Sequence, residues 1–149
     1  MRADITSLVL ALCLACCAMR AEAQSDAQKC PLVIDQVDLS YNHQGGQSKP
    51  QLRVRFSNDA GKQISTVTFS LSLLDSGGSP RPYPDNLKYS AGLEPTKKKV
   101  FTWDLATESV DIHRTGETVV VQEIDFADAT VWKDDGSESC AFSVDFHAR

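Results

Sequence analysis

Residues Thr118–Trp132 read TVVVQEIDFADATVW. The first half is β-branched and aromatic, the composition of a half-buried pleated strand. Val119, Val121, Ile124 and Phe126 do not share one period of two. An extra residue at Gln122–Glu123, forming a bulge, brings all four to one face. Ala127-Asp128-Ala129 then predicts a tight reversal, and Thr130-Val131-Trp132 returns beside the first strand. Trp132 is the largest apolar block this hairpin can add to a core, and the turn sets it within cross-strand reach of Phe126.

Working outward, the chain is a procession of strands. Leu32 to Leu39 is anchored by Ile34, Val37 and Leu39, again with a slip in phase. Ser40 to Pro50 (SYNHQGGQSKP) is rich in Gly, Ser, Asn and Gln and reads as a loop. Leu52, Val54 and Phe56 point inward while Arg53 and Arg55 point outward, and Asn58-Asp59-Ala60-Gly61 turns the chain. Val67, Phe69, Leu71 and Leu73 then face a core, with Thr66, Thr68, Ser70 and Ser72 on a wet outer face. Asp75-Ser76-Gly77-Gly78-Ser79-Pro80 ends that strand. The proline-rich stretch to Pro95 holds at most an edge strand at Leu87 to Tyr89. Lys98 to Leu105 is a strand with Phe101, Trp103 and Leu105 on one side; Lys97-Lys98-Lys99 blunts an edge at its start. Ala106 to Gly116 is irregular, with one helical turn, and Ala141 to Phe146 is a short closing strand. About seven short strands separated by turn signals predict an all-β, immunoglobulin-like two-sheet sandwich of Greek-key type.

The chain's start stands apart from this pattern. Met1-Arg2, the apolar run Ile5 to Ala18, and Ala21-Glu22-Ala23 before Gln24 follow the order of a secretory signal peptide. The run is short of the roughly 18–20 residues a spanning helix needs, so no integral membrane segment is expected in the mature chain. Cleavage between Ala23 and Gln24 divides the sequence into a signal peptide, 1–23, and one domain, 24–149. Leu14-Ala15-Cys16-Cys17 loosely resembles a lipoprotein site, but no small residue precedes Cys17. The mature chain then keeps Cys30 and Cys140, and an even pair in an exported protein reads as a disulfide. Closing a loop of that size contributes on the order of 4–5 kcal/mol in the chain-entropy model. Secreted or periplasmic localisation follows.

Three segments bring a resemblance. Phe69-Ser70-Leu71-Ser72-Leu73-Leu74-Asp75-Ser76-Gly77 is similar to the apolar strand ending in Asp-x-Gly of FxLYD-type bacterial domains. Gly92-Leu93-Glu94-Pro95 falls where those domains carry Leu-x-Pro-Gly, and Phe126 to Trp132 resembles the Phe-x-Asp-Gly-Thr-x-Trp of related small secreted proteins. Thr96 and Ala129 stand where that family usually has glycine. The resemblance implies an exported, immunoglobulin-like fold of generally unassigned activity.

Catalytic signatures are sparse. His43, His113 and His147 lie in polar contexts without metal-ligand spacing, so no cofactor is expected. Asp111-Ile112-His113 sets an acid beside an imidazole, an arrangement that is more often solvated than catalytic. Asp125, Asp128, Asp134, Asp135 and Glu138 gather at one tip and could hold Ca²⁺, although turns favour Asp for backbone reasons as well. A net charge of −5 argues against nucleic acid as a partner. The expectation is a non-catalytic exported module that binds a protein or a glycan; the alternative is a small hydrolase or metal-dependent enzyme with a dispersed site.

Overall fold

The computed structural model describes residues 29–44, 47–110 and 116–145. Its strands are β1 (Leu32–Gln44), β2 (Gln47–Asn58), β3 (Ile64–Leu74), β4 (Pro80–Pro82), β5 (Leu87–Tyr89), β6 (Lys98–Asp104), β7 (Gly116–Phe126), β8 (Val131–Lys133) and β9 (Ala141–Asp145). The first sheet runs β1-β2-β6. In the second, β3 and β7 form the centre; β4 and β5 share the outer edge of β3, while β8 and β9 share the outer edge of β7. Nine segments thus fill seven strand positions. The chain crosses between sheets after β2, β5 and β6, which produces the immunoglobulin-like sandwich.

The organising strand behaves as its residue pattern requires. Thr68 pairs with Glu123 and Phe69 with Val121, so Gln122 is the extra residue of a bulge. That slip returns Val119, Val121, Ile124 and Phe126 to one buried face. A second slip between Ile34 and Gln36 makes Asp35 the extra residue in β1, and Val37 and Leu39 are buried beyond it. β3 alternates as expected, with Val67, Phe69, Leu71 and Leu73 buried against the first sheet's Leu52, Val54 and Phe56.

Five aromatic rings close a circuit across the two sheets. Phe56 meets Phe69 at 5.4 Å, Phe69 meets Trp103 at 5.4 Å, and Trp103 meets Phe101 at 4.8 Å between ring centroids. Phe101 meets Tyr89, and Tyr89 returns to Phe56, each at 5.3 Å. These tilted and edge-on pairs each add about 0.5–1.5 kcal/mol beyond buried area. Trp103 Nε1 donates to Lys88 O at 2.9 Å, fastening β6 to β5 of the opposite sheet.

Two expectations need correction. In the stretch from Ser40 to Pro50, expected as a loop, residues 40–44 and 47–50 are strand: β1 and β2 pair from Ser40↔Gln51 through to Gln44↔Gln47. Each strand supplies the other's backbone partners, and that ladder outweighs local composition. The second concerns the proline-rich stretch, which holds β4 as well as the edge strand at Leu87 to Tyr89. Trp132 is buried, as its place on the return strand predicts; it pairs with Ile124, and Phe126 N donates to Thr130 O at 2.9 Å to close the turn.

Candidate functional site

The outer face of the first sheet carries its charge in the middle. Alternation along β2 buries Leu52, Val54 and Phe56 and leaves Arg53 and Arg55 exposed on the opposite side. Asp38 and Thr102 flank Arg53 in register, while Gln36 and Val100 flank Arg55. Neither arginine forms an ion pair with any described residue, while two charges further along the same sheet are engaged: Lys98 Nζ meets Asp35 at 3.1 Å, and Gln51 Nε2 donates to Asp104 at 2.6 Å. Val100, 45% exposed, is the one large apolar residue beside them. Two adjacent guanidinium groups on a flat polar surface can receive planar anions by paired hydrogen bonds.

A second candidate is a cleft of about 400 Å³ beside the β7–β8 turn, walled by Pro31, Ala60, Phe126, Val131 and Trp132. Its cations are already neutralised. Lys29 Nζ lies 3.2 Å from Asp59, and Lys62 Nζ lies 3.2 Å from Asp128 and 4.1 Å above the Phe126 ring. Lys62 also donates to Thr130 Oγ1. Hydrogen bonds from the Thr130 hydroxyl and amide, with Lys62 beside them, lower the Asp128 carboxyl to about 2. The corner therefore acts as a latch between the 59–63 turn and the β7–β8 turn.

The acidic tip is likewise engaged with its own backbone. Asp134 Oδ2 accepts from Gly136 N at 3.0 Å and Glu138 N at 3.3 Å, and Asp135 Oδ1 accepts from Ser137 N at 3.0 Å. The Ser137 bonds hold the Asp135 carboxyl below its ordinary range. Among the described residues, no group of three or more His, Cys, Asp or Glu is arranged to hold a metal ion. These carboxylates shape turns.

Cys30 and Cys140 stand at disulfide distance, with Cα atoms 5.3 Å apart, and join the entrance of β1 to the residue before β9. His43 lies on the exposed β1–β2 hairpin, its Nδ1 2.7 Å from Ser48 Oγ. Cys16, Cys17, Ala23, Gln24, Asp111, His113 and His147 lie outside the described residues. Among the described residues, no helix is long and apolar enough to cross a membrane.

Two buried polar residues escaped the sequence reading. Glu117 is 1% exposed and in phase with Val119 and Val121, so the period of two already places it on the inner face of β7. Asn58, also 1% exposed, donates to Lys62 O at 2.8 Å and Leu93 O at 2.9 Å and accepts from Ala60 N at 2.9 Å. Its position at the end of the β2 alternation, opening a turn, is the signal that marks it.

No family model matches this chain, and no curated protein matches it. Among solved structures, it is similar to a hypothetical protein of Peptoclostridium difficile 630 determined by X-ray crystallography at 1.85 Å. The TM-score is 0.51 at 11% identity, and the match covers 74% of this chain and 90% of the other. At that identity the likeness is one of fold.

Proposed function

We propose that this chain is an exported, non-catalytic, immunoglobulin-like module of the cell envelope or extracellular space that works by binding. The observation that carries this reading is the outer face of the first sheet. Arg53 and Arg55 sit exposed and without ion-pair partners among the described residues, while the acidic tip and the β7–β8 corner use their charges internally. Export is supported by the signal-like residues 1–23 and by two cysteines at disulfide distance, a pairing suited to an oxidising compartment. The resemblance to FxLYD-type domains draws support from Thr96 and Ala129, whose φ values of 61° and 64° are those a glycine adopts readily.

Two measurements test the proposal. Mass spectrometry of the exported protein should find Gln24 at the amino terminus; a diacylglyceryl group on Cys16 or Cys17 would make it a lipoprotein instead. The purified chain should turn over none of a panel of ester, phosphoester and glycoside substrates. Turnover that co-purifies with the chain through successive columns would establish the hydrolase alternative.

A further inference from the structure

We infer that the outer edge of β6 joins the same edge of a second copy of this chain, antiparallel about a two-fold axis through Phe101, to make a symmetric dimer. Among the described residues β6 pairs with β2 alone, so its other side has no ladder partner. Leu105 N donates to Pro50 O at 2.9 Å and Asn58 N to Lys97 O at 3.1 Å, which marks the odd-numbered residues as those that bond to β2. The amides and carbonyls of Lys98, Val100, Thr102 and Asp104 therefore point away from the sheet. Such an open row is a template for another strand. The other edge strands among the described residues are blunted. β1 is broken by the bulge at Asp35, and β4 is Pro80, Arg81 and Pro82. β5 and β8 have three residues each and β9 has five. β6 runs for seven residues with no proline, glycine or slip in register.

The composition of β6 selects its own copy as the occupant. An axis through Phe101 sets Lys98 opposite Asp104 of the second copy and Val100 opposite its Thr102, so outward backbone groups meet outward backbone groups along the whole strand. Lys98 and Lys99 guard the start of the strand alone, and the axis carries them to opposite ends of the pair. Lys98 Nζ already meets Asp35, and Asp104 Oδ1 accepts from Gln51 Nε2. An ammonium has three donors and a carboxylate two oxygens, so each keeps capacity for the other. Phe101 falls in a non-hydrogen-bonded pair with its own copy, the closer of the two spacings, where aromatic side chains interact. Lys99 stands opposite Trp103, within reach of its ring. Phe101 and Trp103 are only partly buried within one copy, and Val100 is 45% exposed, so a second strand has apolar surface to cover. Sliding the strands by one step while keeping outward groups opposed sets Lys98 against Thr102 or Ala106 and loses both charge pairs; one step beyond Thr102, Lys99 meets Lys99.

One seven-residue strand per copy makes an interface below about 1,200 Å², so association should depend on concentration. Sedimentation equilibrium of the purified exported chain, from about 1 µM to about 1 mM, should show a monomer–dimer equilibrium with nothing larger. Lys98→Glu and Asp104→Lys each set like charges opposite one another, and each alone should weaken the dimer about tenfold. An equimolar mixture of the two variants restores both opposite-charge pairs and should restore the dimer. Thr102→Pro removes an amide aimed at the second copy and none aimed at β2, so it should abolish the dimer. Circular dichroism of dilute samples checks that each variant folds; both charge changes lie at exposed positions. A monomer throughout the range, open-ended oligomers, a dimer that neither charge variant weakens, or one that mixing fails to restore overturns the inference. None of these results bears on what the chain binds, so the binding-module proposal stands or falls separately.

Discussion

Replacing Thr96 with glycine should stabilise this protein. Thr96 holds φ at 61°, in the left-handed region, and a β-branched side chain is poorly suited to that conformation. The strain is maintained by the backbone around it: Thr96 N donates to Asn58 O at 2.9 Å, and Lys97 O accepts from Asn58 N at 3.1 Å. Those bonds tie the turn before β6 to the end of β2, and they form only if residue 96 bends this way. A left-handed residue other than glycine costs roughly 1–2 kcal/mol. Glycine removes that cost but adds about 0.5–1 kcal/mol of unfolded-state entropy. The difference favours glycine by about 0.5–1 kcal/mol, or a rise of about 2–5 °C in melting temperature for a domain of this size. Thermal unfolding followed by circular dichroism reads the shift directly. Gly61→Ala supplies the reverse control, because Gly61 has φ at 70° and open space where a Cβ would stand, so any cost is purely one of backbone conformation. Should Thr96→Gly melt lower than wild type while Gly61→Ala is neutral, the left-handed strain is not what these positions carry.

Three further outcomes follow from buried or paired groups. Trp132→Ala should cost about 3–5 kcal/mol in denaturant unfolding, because the indole is 4% exposed; Trp132→Phe should cost far less, since Nε1 has no hydrogen-bond partner to lose. Asn58→Ala should cost about 2–4 kcal/mol by leaving Lys62 O, Leu93 O and Ala60 N without their side-chain partner, and the isosteric Asn58→Asp should cost more by setting a carboxylate against two carbonyl oxygens. The Asp128 carboxyl is lowered from 3.8 to about 2, so its contribution is complete above pH 3.8 and is lost as pH falls through 2; Asp128→Asn should flatten the acid limb of the stability profile in that window, and an unchanged limb would contradict the latch.

The readable parts of this fold are those in which a side chain's neighbours along the strand decide where it points. Strict alternation places Leu52, Val54 and Phe56 in the core, and the break in phase at Gln122–Glu123 marks a bulge in the sequence itself, because a buried face tolerates no slip. The β1–β2 hairpin was illegible for the opposite reason. Its polar half has turn-forming composition and little buried pattern, and it becomes strand through pairing across the hairpin, from Gln44↔Gln47 to Ser40↔Gln51, which residue-by-residue propensity does not register.

The same distinction governs the candidate site. Charges within turns, such as Asp75, Asp134 and Asp135, lie close in sequence to the amides they cap, so their structural role can be read from the chain. Arg53 and Arg55 were legible as outward-facing, but their lack of an ion-pair partner depends on what β1 and β6 set beside them. Asp38 could have neutralised Arg53, and Asp104 is instead held by Gln51. Strand alternation thus announces which residues a sheet offers to solvent, and only the pairing of strands determines which of those offers remain open. In a sandwich whose turns use their own carboxylates, a face with two open guanidinium groups is where recognition has physical means to occur.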